Sequence, residues 1–321
     1  MAKIACIGGG TGLAAVLSGL VQKQGNELSA ITGMADSGGS SGILRDQLGA
    51  LPPGDVLKAL AALASDSEAA ERILRFRWDQ GVDERYRGHT PGNLLLTAMS
   101  QFADFLSAVR ALEAVLECRG RVYPAYLDHV HLFAQTTHDR EIRGEGKIEE
   151  WIYTPQVEPI ITDTEKIDTI RLDPVPRLLP EAADAIRAAD LVVIGPGSFY
   201  TSLAAVLLVE GMREALSRCY LVHVVNLWNN PRETPGWSAR EHSDKLSELI
   251  GRRADYIICN KSFTDGKAVA SYLAQGYSPV RADISGENVY CSNLMCSDGS
   301  LLRHNTAKLA SALVWLADSS G

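Results

Sequence analysis

Short apolar runs that end in glycine or asparagine recur along this chain. Amphipathic stretches follow them, with apolar residues three or four positions apart, as in residues 13–23. This alternation predicts buried strands connected by helices, which is typical of a parallel α/β sheet. The predicted strands are residues 3–7, 28–33, 191–194, 221–227 and 256–259.

The middle of the chain departs from this pattern. Residues 54–78 predict helices, and residues 92–117 predict one long amphipathic helix. Between residues 121 and 172, short β-prone pieces alternate with turns and charges, which indicates an antiparallel insert or extra strands at a sheet edge. A short strand near 288–291 and a helix near 304–317 close the chain. We expect a single α/β domain over residues 1–321 with a small β-rich insert at about 121–172.

Composition narrows the function classes. The 321 residues carry a net charge of −8, which argues against a nucleic-acid partner. No apolar run approaches the ~20 residues of a membrane span. The six cysteines form no C-x-x-C pair, and we expect all six to be reduced thiols in a cytoplasmic protein.

The first strand ends in a glycine-rich loop, Gly8, Gly9, Gly10, Thr11 and Gly12. Glycines let the backbone approach an anion closely, and the helix that follows directs its N-terminal amides toward that anion. Gly10, Gly12 and Ala15 also fit the dinucleotide fingerprint. The alternative is a tight turn with close packing of strand against helix. We favour a phosphate-binding loop.

The second strand ends in Asp36, Ser37, Gly38, Gly39, Ser40, Ser41 and Gly42. Asp36 lies 24 residues after Gly12, where an NAD site would place an acid on the ribose. The serines and backbone amides behind it favour an anion nest instead, beside which Asp36 would bind Mg²⁺ or accept a proton. A surface loop is the structural alternative.

A third strand ends in Gly195, Pro196, Gly197 and Ser198, and Thr201 and Ser202 follow at the start of a helix. Ligands of open parallel sheets bind at the carboxyl ends of the strands, so we expect these loops to converge. Asn226, near the end of another strand, joins the predicted ligand-binding set.

Two further motifs allow two interpretations each. In the segment Pro52–Asp55, Asp55 is either a helix cap or a site residue. Asn93 opens the long predicted helix and is either its N-cap or a ligand for a base or ribose.

Together these motifs resemble one family, the YvcK-type gluconeogenesis factors, which belong with the CofD-like 2-phospholactate transferases. The resemblance covers residues 3–310 in order and rests on Gly8–Leu13, Asp36–Gly42 with Arg45, Pro52–Asp55, Gly92–Leu94, Gly144-Glu145, Ala189–Ser202 and Arg303–Thr306.

The resemblance implies a Rossmann-like parallel sheet with helices on both faces. It implies binding of UDP-sugars, chiefly UDP-N-acetylglucosamine, and a role in carbon metabolism and cell shape. Arg303 would then help to hold the sugar nucleotide, with Tyr272 as a further candidate. The transferase branch implies Mg²⁺ and an acceptor hydroxyl, and a homo-oligomer is compatible with the sequence.

The chain departs from the family pattern at three positions, with Phe199, Arg232 and Asn305 where relatives commonly have leucine, glycine and aspartate. It also lacks the paired acidic motif of the transferase branch after the second strand, where Asp36 stands alone. Three hypotheses follow: a UDP-sugar-binding regulator, an Mg²⁺-dependent transferase with Asp36 as metal ligand or base, and an NAD(P)-linked oxidoreductase.

Overall fold

A parallel sheet forms the centre of the molecule. The computed structural model describes residues 1–78, 83, 86–154, 165–263, 266–298 and 301–319. Within these residues the strands are β1 (Lys3–Gly8), β2 (Glu27–Thr32), β3 (Arg121–Pro124), β4 (His131–Thr136), β5 (Glu141–Arg143), β6 (Ile167–Asp173), β7 (Leu191–Ile194), β8 (Leu221–Val224), β9 (Trp228–Asn229), β10 (Tyr256–Asn260), β11 (Ser278–Pro279), β12 (Val289–Ser292), β13 (Met295–Asp298) and β14 (Leu301–His304).

Helices connect and cover these strands. A π-helix spans Phe199–Ala204. The α-helices of the described residues are α1 (Gly10–Val21), α2 (Gly39–Leu48), α3 (Gly54–Leu63), α4 (Ser67–Arg75), α5 (Pro91–Phe102), α6 (Phe105–Val115), α7 (Glu145–Tyr153), α8 (Pro180–Arg187), α9 (Ala205–Leu207), α10 (Met212–Ala215), α11 (Ala239–Ile250), α12 (Gly266–Ala274) and α13 (Thr306–Ser319). None of these helices combines the length and apolarity that crossing a membrane requires.

The strand order confirms the predicted α/β fold. Among the described strands, seven form the central sheet in the order β12-β10-β8-β7-β1-β2-β3, and all its neighbours run parallel. Every residue of β7 and β8 is buried, as expected for strands covered on both faces. The chain runs from β1 to β2 and β3 on one side and returns to β7 and β8 on the other. The order therefore reverses between β1 and β7, where an open sheet binds its ligand.

The β-rich insert contains both of the arrangements that the sequence left open. β3 extends the edge of the main sheet beside β2, with Ala30 opposite Val122. β4 pairs antiparallel with β5 and with β6 in a separate small sheet. Residues 155–164 of the predicted insert lie outside the described residues.

The long helix predicted over residues 92–117 is wrong, because the structure has two helices there. Ala103 is extended, and the Asp104 carboxylate accepts a hydrogen bond from the Ser107 N–H at 2.8 Å and caps α6. The apolar spacing continues across this break, so periodicity alone did not separate the helices. Likewise, Thr90 rather than Asn93 caps α5.

The prediction that all six cysteines are reduced is also wrong. Cys259 and Cys291 are opposite each other on β10 and β12 and form a disulfide, with their Cα atoms 5.0 Å apart. Cys6, Cys118, Cys219 and Cys296 are free. The pairing of the two strands brings together residues that are 32 positions apart, which no local motif indicated.

Candidate functional site

The glycine loop after β1 forms the N-terminus of α1, as the sequence predicted. Gly9 is the N-cap and offers no side chain to the first turn of the helix. The first turn also carries no acidic residue. The free N-terminal amides and the positive end of the helix dipole therefore suit an anion such as a phosphate.

The loop after β7 contacts this first loop directly. A Cβ atom added to Gly12 would overlap the Pro196 carbonyl oxygen and lie 2.8 Å from its carbon. Gly195 adopts φ 81°, a conformation that favours glycine. The Asn226 amide fixes the loop from the far side, accepting from the Gly197 N–H at 2.8 Å and donating to the Gly197 carbonyl at 2.6 Å. Two of the predicted strand-end loops thus meet at the switch point of the sheet.

A carboxylate of the protein itself occupies the start of the π-helix that follows this loop. The buried Glu233 side chain accepts hydrogen bonds from the Ser198 hydroxyl and from the Tyr200 N–H at 2.9 Å. Burial raises the pKa of Glu233, whereas the Ser198 hydroxyl and the Tyr200 and Thr201 amides lower it. The Tyr200 and Thr201 amides at the start of this π-helix, and the hydroxyl of the predicted residue Ser198, are therefore paired with Glu233.

A cleft of about 1130 Å³ opens beside the two loops. Of the predicted ligand-binding residues, those that line it are Gly9, Gly10, Thr11, Gly12, Pro196, Gly197, Ser198, Ser202, Asn226, Tyr272 and Arg303.

Aromatic side chains form the far wall of this cleft. The Trp228 ring lies 4.9 Å from that of Tyr272, which in turn lies 5.4 Å from that of Tyr277. The Tyr272 hydroxyl also accepts a hydrogen bond from the Leu302 N–H at 3.3 Å, next to Arg303 on β14. The cleft thus combines amide donors at one side with an apolar, aromatic surface at the other, as a site for a nucleotide requires.

One end of the cleft is acidic. A smaller cavity of about 80 Å³ shares Gly10, Lys58, Glu149 and Ser202 with the main cleft. Its lining includes four carboxylates and one lysine: Asp36, Asp55, Glu145, Glu149 and Lys58. Thr201 lines the same cavity. The sequence placed Asp36 alone, and the fold surrounds it with acids from α3 and α7.

Proximity and burial change the protonation of these acids. Burial, then Asp55, raise the pKa of Asp36. Burial, then Asp36 and Glu149, raise the pKa of Glu145 to about 10, so Glu145 keeps its proton at neutral pH. Lys58 donates to Asp55 at 2.7 Å, and although burial opposes its charge, Asp55 and Asp36 raise its pKa. In this cluster Lys58 therefore carries the positive charge, and Glu145 holds a proton.

The serine-glycine loop after Asp36 packs against the start of α7 rather than facing the main cleft. The Gly38 N–H donates to Asp36 at 2.9 Å, and the Gly146 N–H donates to the Ser37 hydroxyl at 3.1 Å. The Ser40 hydroxyl is 2.8 Å from Nδ1 of the buried His89. The predicted residues outside the lining of both cavities are Gly8, Ser37, Gly38, Gly39, Ser40, Ser41, Asn93 and Gly195.

Several residues of the site were not predicted as such. Lys58, Glu149, Trp228 and Glu233 were not among the predicted site residues. Lys58 lies one helical turn after Asp55, and this spacing was the available signal for it.

The acidic end of the cleft offers some of the ligands that a divalent cation needs. Mg²⁺ is usually held by one or two carboxylates together with substrate phosphates, and Asp36 and Asp55 supply carboxylates beside the glycine loop. Among the described residues, no group of three or more His, Cys, Asp or Glu side chains has the arrangement of a metal site. Phosphate oxygens would have to complete the coordination.

Comparisons with known proteins identify related chains. The model of the 2-phospho-L-lactate transferase CofD family matches residues 4–298. The gluconeogenesis factor of Bacillus subtilis is 36% identical over 321 residues, covering 97% of each chain. The gluconeogenesis factor of Listeria innocua is 33% identical over 323 residues, covering 97% of this chain and 94% of that protein. A crystal structure of a UPF0052 family member from Bacillus halodurans superposes with a TM-score of 0.87 at 31% identity, covering 98% of this chain and all of the other.

Proposed function

Because this chain belongs to the CofD family, we propose that it binds a nucleotide sugar of the UDP-N-acetylglucosamine type and regulates carbon metabolism and cell shape. The observation that supports this proposal most directly is the cleft that runs from the N-terminus of α1 to the aromatic wall at Trp228 and Tyr272. The names of the relatives as gluconeogenesis factors support the regulatory role.

The dimensions and donors of the cleft suit such a ligand. Its 1130 Å³ exceeds the ~1,000 Å³ upper range of common small-molecule pockets, which leaves room for a nucleotide with a sugar attached. The diphosphate would lie at the amides of Gly10–Gly12, and the base would stack against Tyr272 or Trp228. Arg303 would donate to the diphosphate or the sugar.

The test is a titration of the protein with UDP-N-acetylglucosamine, in which binding is monitored by tryptophan fluorescence and by thermal unfolding. At about 100 times Kd the ligand should stabilise the protein by about 2.7 kcal/mol. Arg303→Gln should weaken binding about tenfold or more, since a hydrogen bond to a charged group contributes about 1.5–3 kcal/mol. The exposed Arg218→Gln is the matched control. Absence of any response to uridine nucleotides would overturn the proposal.

A second function, phospho-group transfer, is favoured by the acidic end of the cleft. In such a reaction an acceptor hydroxyl attacks the phosphorus of a nucleoside diphosphate ester, forming a new P–O bond and breaking the P–O bond to the departing nucleoside monophosphate. The raised pKa of Asp36 suits a base that takes the hydroxyl proton. Mg²⁺, when bound, would neutralise the phosphate charge.

Phosphorus NMR distinguishes the two functions. Incubation of the protein with Mg²⁺, a nucleoside diphosphate ester and a cell extract that supplies acceptors should release a nucleoside monophosphate if the protein is a transferase. Asp36→Asn should then abolish release while nucleotide binding persists. Equal release by wild type and Asp36→Asn would exclude Asp36 as the base.

A further inference from the structure

Arg45, on α2, is a buried cation without a counter-charge. Its side chain is only 8% exposed, and its Nη1 atom has no hydrogen-bond partner. No carboxylate of the described residues lies within ion-pair distance of it, and its closest polar contact is Nη2 to His131 Nδ1 at 3.4 Å. Burying a guanidinium is costly unless an anion accompanies it.

The groups around Arg45 offer hydrogen-bond donors but no negative charge of their own. Tyr126 is fully buried, and its hydroxyl has no hydrogen-bond partner; the Met34 N–H approaches it without reaching hydrogen-bond geometry. Arg143, on β5, places a second guanidinium in the same region. Burial, then Arg45 and Arg143, lower the pKa of His131, which favours its neutral form.

Charges on the neighbouring elements do not compensate Arg45. Burial lowers the pKa of Arg45 most strongly, and Arg143 lowers it further. Tyr126, Asp46 and Asp36 act in the opposite direction, but neither aspartate reaches ion-pair distance. The region thus has two cations and an unpaired hydroxyl, and no carboxylate of the described part of the chain pairs with Arg45.

We propose that a binding site for a tetrahedral oxyanion of the phosphate class is formed by four neighbouring side chains, Arg45, Tyr126, His131 and Arg143, of which Arg143 is near enough to influence the charges of Arg45 and His131. Two guanidinium charges match the −1.5 to −2 charge that a phosphate ester carries at pH 7, roughly in full. Arginine is also the preferred side chain for phosphate recognition. Arg143 is exposed and His131 is half-buried, so a ligand can approach from the surface.

This site is separate from the nucleotide cleft. None of its four residues lines the main cleft or its acidic end. The proposal therefore does not depend on the identity of the nucleotide. The phosphate would come from free inorganic phosphate or from a phosphate monoester that is a second ligand of the protein.

The experiment measures the binding of inorganic phosphate by titration calorimetry. The proteins compared are the wild type and the variants Arg45→Gln, Arg143→Gln and Arg303→Gln. Arg45→Gln and Arg143→Gln should each weaken phosphate binding about tenfold or more. Arg303→Gln, in the cleft, should leave this binding unchanged. Because Arg143 is exposed, its variant should fold even if Arg45→Gln does not.

Arg171→Gln is the matched control. Arg171 also lies over the Phe133 ring, at 3.9 Å compared with 5.7 Å for Arg143, but it is paired with Glu141 at 2.9 Å. Its replacement should not change phosphate affinity. Glycerol phosphate in parallel distinguishes the two sources, since tighter binding than inorganic phosphate indicates a monoester. Loss of phosphate binding in Arg303→Gln but not in Arg143→Gln, or no binding to the wild type, would overturn the proposal.

Discussion

The glycine loop after β1 (the first loop) contacts the loop after β7 (the third loop), and this contact makes Gly12→Ala a sharp test of the site. Gly12 lies in the first turn of α1, and an added methyl group would overlap the Pro196 carbonyl oxygen. This obstacle is backbone, so it cannot rotate away as a side chain would. The two loops would have to separate.

Two opposing effects set the change in unfolding free energy that Gly12→Ala causes. Overpacking costs about 1–3 kcal/mol, and a rigid backbone obstacle puts Gly12→Ala in the upper half of that range. Alanine gains about 1 kcal/mol over glycine in a helix. We therefore expect the free energy of unfolding to fall by about 1–2 kcal/mol, measured by urea denaturation. Because the α1 amides would move relative to the third loop, nucleotide-sugar affinity should also fall, by about tenfold or more.

Gly8→Ala is the control for stability. An added Cβ there would be in ordinary contact with Leu203 at 3.6 Å and Leu13 at 3.7 Å. It should change the free energy of unfolding by less than about 1 kcal/mol. If Gly12→Ala is instead more stable than the wild type, the gain in helix propensity exceeds any cost of overpacking, and the inferred contact between the loops is incorrect.

Three further results are expected. Glu233→Ala should lower the free energy of unfolding by about 1–3 kcal/mol in urea denaturation, because the Ser198 hydroxyl and the Tyr200 N–H would lose the oxygen that accepts from both; an unchanged midpoint would contradict the capping role. The native pKa of Glu145 is raised above its unfolded value, so the native state binds the extra proton and stability should fall as pH rises from about 4.5 toward about 10. Urea denaturation across this range gives the slope of the unfolding free energy against pH. Glu145→Gln should reduce this slope, whereas replacement of the exposed Glu150 by Gln should retain it. A slope that Glu145→Gln leaves unchanged would refute this expectation. Finally, thiol titration of the unreduced, denatured protein should count four thiols, and six after reduction; six in both would contradict the Cys259–Cys291 bond.

Local chemistry made the main sheet predictable. The clearest case is the continuous apolar run Leu191–Ile194 with Gly195 directly after it. Capping chemistry was harder to identify, because Asp104 is a single residue within an unbroken apolar periodicity. The glycine loop after β1 was predictable as a helix start, because several glycines in succession separate an apolar run from an amphipathic stretch.

The parallel α/β fold, the family and the loop that begins α1 can be inferred from the amino-acid sequence, since each of these depends on neighbouring residues or on motifs in a fixed order. The side chains that complete the site are known only from the folded structure. Asp36 gained its acidic partners, and the amides after Ser198 were paired with Glu233, only when distant segments came together. Burial and charge coupling then set their protonation, and these depend on distances in space that no spacing along the chain records.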